Sequence, residues 1–215
     1  MLNNFIRSFL LKTHKILLRN KKHTELARKF IHISSIVLPL SYRYLFNYNK
    51  RMTLIVFVSL GVLSVIIELL RQESKGFRKY FRLFFGLMLR QHEVNNLTGA
   101  SYLLTSAIFS VAFFPPDIAF AAMAFLSIGD TAAALVGMNL GKRKFLNSNK
   151  TVEGTLACFV TTFIFGLFIF VEDPIIALFG AVSVCVAETI NLKIDDNIKI
   201  PIISGIVMCI VWLFT

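Results

Sequence analysis

Long runs without a charged residue constrain this chain more than any other feature. Thr53–Ile67 and Leu156–Val171 contain no Asp, Glu, Lys or Arg. With their apolar flanks they approach the ~20 residues that a helix needs to cross the hydrocarbon core of a bilayer. A water-soluble domain would break such runs into stripes of helical or strand period. The chain is 56% hydrophobic over 215 residues, so similar runs recur along it. They predict an all-α polytopic membrane protein, a single integral membrane domain over residues 1–215 with no separate soluble module. About seven spans are expected, at 30–46, 53–70, 97–114, 117–137, 155–171, 174–191 and 200–214. Pro39 interrupts the first, and the last is short.

Lys and Arg collect in the cytoplasmic loops of membrane proteins, and this orients the spans. With the N-terminus inside, 20 of the 23 basic residues fall on the inner face, leaving Arg43, Lys50 and Arg51 outside. The reverse topology inverts that bias, so the N-terminus is expected in the cytoplasm. The net charge of +11 then follows from a basic inner face attracted to anionic lipid, and no nucleic-acid partner is needed. Residues 1–29 hold eight basic groups and no apolar core followed by small residues. They read as a basic interfacial segment rather than a cleaved signal. Within it Phe5–Arg19 has the pattern of an amphipathic surface helix, as does Gly76–Arg90. Cys158, Cys185 and Cys209 sit in apolar spans without metal-type spacing and are expected to act as small hydrophobes. Oligomeric state is not encoded in any of these patterns.

Charge inside a membrane is costly and asks for a partner or a task. Glu68, Asp130 and Glu188 are the three acidic residues within spans, each toward the inner end. Glu68 has Arg71 three residues on, the spacing of a helix-surface pair. Asp130 has no basic residue within a turn and lies roughly 10 Å from the inner end of its span. Ser127, Gly129, Thr131 and the alanines at 132–134 keep that helix narrow, which suits close packing or a broken-helix ion site. A basic loop follows, with Gly141, Lys142, Lys144 and Lys150. Thr151 is placed to cap the next helix, with Glu153 and Gly154 in its first turn, and a helix N-terminus favours phosphate. Gly137–Lys142 reads GMNLGK, which is not a P-loop. Three more clusters fall on the same membrane side: Arg28-Lys29 with His32, Thr98 to Tyr102, and Asp195-Asp196-Asn197 before Pro201.

Taken in order, these motifs are E-x-x-R-K-x-x-H at 25–32, E-x-x-R at 68–71, T-G-A-x-Y at 98–102, G-D-x-x-A-A-x-x-G at 129–137, G-K-x-K and K-T-x-E-G at 141–154, and E, D-N and P at 188–201. Together they resemble the CTP-dependent lipid kinases, a family that contains dolichol kinase, phytol kinase and the yeast-type diacylglycerol kinase. Residues 129–154 are also similar to phosphatidate cytidylyltransferase, but the GHGG and Asp-Arg signature of that enzyme is absent. The resemblance implies transfer of the γ-phosphate of CTP to the hydroxyl of a membrane lipid alcohol, either an isoprenoid alcohol or diacylglycerol. It implies a divalent cation, Mg²⁺, on Asp130, with Glu153 or Asp196 assisting. Arg28, Lys29, Gly129, Gly141, Lys142, Lys144, Lys150, Thr151, Gly154 and Asn197 are implied on the nucleotide, and His32 as a base for the alcohol. Glu68, Arg71, Thr98, Tyr102 and Glu188 are further candidates. Two alternatives stay open: a cytidylyltransferase that makes a CDP-lipid, and a small ion-coupled transporter using Asp130 and Glu188.

Overall fold

The computed structural model describes residues 32–86, 89, 93, 96–145, 150–190, 192 and 194–215. These residues are helical throughout apart from turns and one isolated antiparallel bridge, Lys144 to Thr151. In chain order the helices are α1 (Val37–Leu40), a π-helical turn (Ser41–Leu45), α2 (Lys50–Glu73), α3 (Lys75–Phe85), α4 (Gly99–Phe113), α5 (Pro116–Leu140), α6 (Val152–Ile169), α7 (Pro174–Thr189) and α8 (Asp196–Trp212). Arg28, Lys29 and the segment Phe5–Arg19 lie outside the described residues.

Three helices, α2, α5 and α6, are long and apolar enough to cross a membrane. The other expected spans are shorter. α4, α7 and α8 have 15, 16 and 17 residues, about 22–26 Å of rise against a hydrocarbon core of about 30 Å. The described part of the run at 30–46 is not one regular helix. Proline at 39 lacks the N–H of a helix ladder, and α1 passes at once into a π-turn closed by Phe46 N–H donating to Ser41 O at 2.9 Å. Seven membrane-length helices are therefore not what the described residues form. Local chemistry sets the ends: Pro115 and Pro116 separate α4 from α5, and Asp195 caps α8 by accepting from Asn197 N–H at 2.9 Å.

The passage from α2 to α3 turns on one residue. Ser74 is extended, ends α2, and accepts from Phe77 N–H at 3.3 Å as the cap of α3. Arg78 then reaches back, its Nε donating to Arg71 O at 3.0 Å and its guanidinium also to Gln72 O. That satisfies carbonyls which the end of α2 leaves open. α3 carries Lys75, Arg78, Lys79 and Arg82 beside a row of packed rings, Phe77, Phe81 and Phe85, the amphipathic pattern expected of an interfacial helix.

α5 is the centre of the molecule. Of its apolar window 78% is buried, against 17% for α2, so α5 is surrounded by protein while α2 turns most of its side chains outward. α6, α7 and α8 pack round α5, with Phe125, Leu126, Cys158, Val184, Ile200 and Met208 in the core. Lipid offers no hydrophobic gain for such contacts, so close approach of small residues has to do the work. At Gly129 a Cβ would stand 2.9 Å from both Cys158 Sγ and Thr162 Cγ2, which fixes glycine beside Asp130. α4 and α2 close the other side through a second core of Phe57, Ala107, Val111 and Phe120.

Candidate active site

Two short polar contacts join the residues before α1 to α5. His32 Nε2 lies 2.9 Å from Asp130 Oδ2, and Ser35 Oγ lies 2.7 Å from Ser127 Oγ. Both partners repeat at three residues, the spacing that keeps side chains on one helix face. The imidazole is within ion-pair distance of the carboxylate without an aligned hydrogen bond.

Across Asp130 lies a knot of opposite charges drawn from three further places in the chain. Lys150 Nζ is 2.8 Å from Glu188 Oε1 on α7, 3.6 Å from Asp196 Oδ2 on α8 and 3.9 Å from Asp130 Oδ1. Lys199, a turn beyond Asp196, holds that carboxylate at 2.8 Å and donates to Ile190 O at 2.9 Å, tying the end of α7 to α8. Burial opposes the charged form of Lys150, but Glu188, Asp130 and Asp196 outweigh it and hold the amine above its ordinary pKa. Glu188 is almost wholly buried, and its Oε2 has no hydrogen-bond partner among the described residues. Asn197 is buried beside this knot. Proline at 201 cannot donate the helical bond to its carbonyl.

On the other side of His32 and Asp130 opens a cavity of about 440 Å³, within the range of ligand pockets. Its walls are apolar: Leu60 and Leu63 of α2, Phe81 and Phe85 of α3, Leu103 and Leu104 of α4. His32, Asp130 and Asn197 form a polar end, and Glu68, Glu93 and Thr98 another polar stretch. Glu68 accepts from Thr98 N–H at 2.8 Å and from Arg71 at 2.5 Å. Arg71 also donates to the carbonyls of Glu93 at 2.6 Å and Asn96 at 2.5 Å and lies 5.4 Å over the ring of Phe81. Glu93 Oε1 accepts from Gly99 N–H at 3.2 Å. The Glu68–Arg71 pair is thus a buried clamp that holds the start of α4 and the α3 wall against α2.

The expected site residues divide by where the fold puts them. His32, Asp130, Lys150, Glu188, Asp196 and Asn197 meet; Glu68 and Thr98 line the cavity, with Arg71 paired to Glu68. Glu153 does not join the knot: its carboxylate turns to the loop and accepts from Arg143 N–H at 3.3 Å. Lys142 and Lys144 are exposed on that loop. Thr151 caps α6 by accepting from Gly154 N–H at 3.2 Å. Gly154 is taken up by packing, since a Cβ there would lie 2.7 Å from Ala133 O on α5, and Gly141 packs on Thr151. Tyr102, half-buried on α4, lines neither cavity nor knot. Lys199, Ser35, Ser127 and Glu93 are additions. The matched three-residue spacing of 32/35 and 127/130 and the i, i+3 spacing of Asp196 and Lys199 are the traces that the first three leave in the sequence.

Comparison with known proteins follows this geometry. The chain is 31% identical to CTP-dependent diacylglycerol kinase 1 of Eremothecium gossypii, covering 87% of this chain and 67% of that one. To CTP-dependent diacylglycerol kinase 1 of Saccharomyces cerevisiae it is 28% identical over 87% of this chain and 73% of the other. To probable phytol kinase 2, chloroplastic, of Oryza sativa subsp. japonica it is 30% identical over 54% of this chain and 44% of that one. No protein-family profile and no solved structure matches the chain.

Proposed function

The chain belongs to the CTP-dependent lipid kinase family, and from that premise we propose that it transfers the γ-phosphate of CTP to the hydroxyl of a membrane lipid alcohol. One observation carries this reading: Asp130 has an apolar cavity on one side and a cluster of ammonium and carboxylate groups on the other. A lipid hydroxyl arriving through the cavity and a soluble triphosphate arriving through the basic loop would meet there. The relatives reported are named kinases, so the cytidylyltransferase and transporter readings gain nothing from them.

In the proposed reaction the alcohol oxygen attacks the γ-phosphorus, the bond to the β–γ bridging oxygen breaks, and CDP leaves. The hydroxyl proton passes to the Asp130–His32 pair, whose facing atoms are 2.9 Å apart. Phosphoryl transfer depends on positioning and on cations round the moving group. Lys150, the exposed Lys142 and Lys144, and the N-terminus of α6 capped by Thr151 supply those for the phosphates. Asp130 and Asp196, with the buried Glu188 oxygen that has no partner among the described residues, are an all-oxygen donor set of the kind a hard divalent cation takes. Such an ion would neutralise phosphate charge there. The protein crosses the membrane more than once in this reading, with this end in the cytoplasm, where CTP is found and where most of the Lys and Arg fall.

The test is a panel of alcohols, comprising diacylglycerol, phytol and a polyprenol, presented in lipid nanodiscs with CTP or ATP. A product heavier by one phosphoryl group, formed with CTP, is expected for at least one alcohol. Phosphorylation with ATP alone would refute the assigned donor.

A further inference from the structure

A buried salt-bridge network is the bland account of Lys150 and its three carboxylates, and it leaves two features unexplained. Glu188 has a side chain only 2% exposed, yet one of its oxygens has no donor among the described residues. A buried carboxylate oxygen left without a donor is costly. The cation that faces it comes from a loop, not a helix. Lys150 is held by its backbone in a short bridge, its carbonyl accepting from Phe145 N–H at 3.1 Å, and its side chain is 32% exposed. The ammonium is therefore reachable and tethered at one end, while the carboxylates are fixed on α5, α7 and α8.

We propose that the Lys150 ammonium occupies a divalent-cation position formed by Asp130, Glu188 and Asp196, and that lysine and cation exclude one another. Glu188, through its second oxygen, is the third ligand. The spacing fits exchange. Magnesium draws its oxygens to about 2.0–2.1 Å, whereas the ammonium holds them at 2.8, 3.6 and 3.9 Å. Accordingly no three acidic, histidine or cysteine side chains among the described residues stand at metal-binding spacing. Binding of the ion would draw the carboxylates inward and release the amine. The released Lys150 remains two residues from the start of α6, the end that attracts phosphate, so cation loading would prepare the anion site. Only this last step rests on the kinase reading.

The experiment is Mn²⁺ binding to the purified full-length chain, followed by electron paramagnetic resonance without nucleotide. Lys150→Met, which keeps bulk and removes charge, is expected to bind Mn²⁺ about tenfold more tightly than wild type. Adding Glu188→Gln to it should return the affinity to wild-type weakness or below. Lys150→Met binding no more tightly than wild type overturns the proposal, as does a double variant that keeps the gain. Should Lys150→Met fail to fold, amine acetylation of the wild-type chain decides instead. Millimolar Mg²⁺ should raise labelling of Lys150 several-fold, and unchanged labelling overturns the exclusion. Loss of kinase activity would leave these binding results untouched, so the two readings fail separately.

Discussion

The Asp117 end and the Asp130 end of α5 both gather charge, and they treat it in opposite ways. At Asp117 the groups satisfy one another. Tyr48 Oη donates to Asp117 Oδ1 at 2.6 Å, Arg43 lies 3.9 Å from the same oxygen and 4.9 Å over the ring of Phe120, and Lys50 donates to Ala112 O at 2.5 Å. Asn47 and Tyr48 have positive φ, a turn conformation uncommon for such residues and held here by the Tyr48–Asp117 bond. That carboxylate is half exposed, where pairing is cheap and weak. At Asp130 the carboxylates of Asp130 and Glu188 are buried, one Glu188 oxygen lacks a partner among the described residues, and a cavity opens beside them. Closed pairing at one end reads as anchoring; buried, unfinished pairing at the other reads as a site waiting for a ligand.

The comparison breaks most sharply at Asp130. Asp130→Asn is expected to lower phosphorylation by about 10³-fold or more, with helix content and membrane insertion unchanged. A variant with full activity removes Asp130 from the site. Next is Arg71→Met, which strands Glu68 in the clamp beside the cavity. Breaking a buried pair from one side costs about 3 kcal/mol, to be read as a lower denaturation midpoint; an unchanged midpoint shows that the clamp carries no stability. Ala100→Phe places a ring in the cavity from α4. It should lower kcat/KM for the lipid about tenfold and leave KM for CTP as it was, whereas an equal change for both substrates would separate the cavity from the lipid. Smallest is Asp117→Asn, which should change stability by less than about 1 kcal/mol and activity not at all. A large loss of activity there erases the distinction between the ends.

How much of this was legible in the chain differs from element to element. The uncharged runs gave the helical class directly, because hydropathy is a local property. The start of α6 was legible because Thr151 reads as its cap, whereas Asp195, which caps α8, reads in sequence only as part of a polar cluster before Pro201. High hydropathy marks the run at 30–46 but does not report the π-turn at Ser41–Leu45 that interrupts its regularity. The expected spans at 97–114 and 174–191 overrun α4 and α7 by two or three residues because apolar flanks count as helix in hydropathy, while α8 begins four residues before the expected 200, on the polar turn that Asp195 caps. Asp130 stood out because no partner was near it in sequence. Lys150, Glu188 and Asp196 each stood out singly, but the ion pairs that Lys150 makes with all three carboxylates were not legible, since these residues are 20, 58 and 66 positions from Asp130 and only tertiary packing brings them together. Glu153 is near the site in sequence, but the first turn of α6 turns its carboxylate to Arg143 N–H. Lys199 went unnoticed because a basic residue near a membrane surface needs no special account until it is found buried against Asp196.

The most direct measurement follows two labels at once. Membranes containing the protein, given CTP labelled in its α- or γ-phosphate together with a lipid alcohol, are expected to move only the γ-label into lipid. Lipid that acquires the α-label instead would contradict the account, because the same charged pocket would then be passing a nucleotidyl group rather than a phosphoryl group.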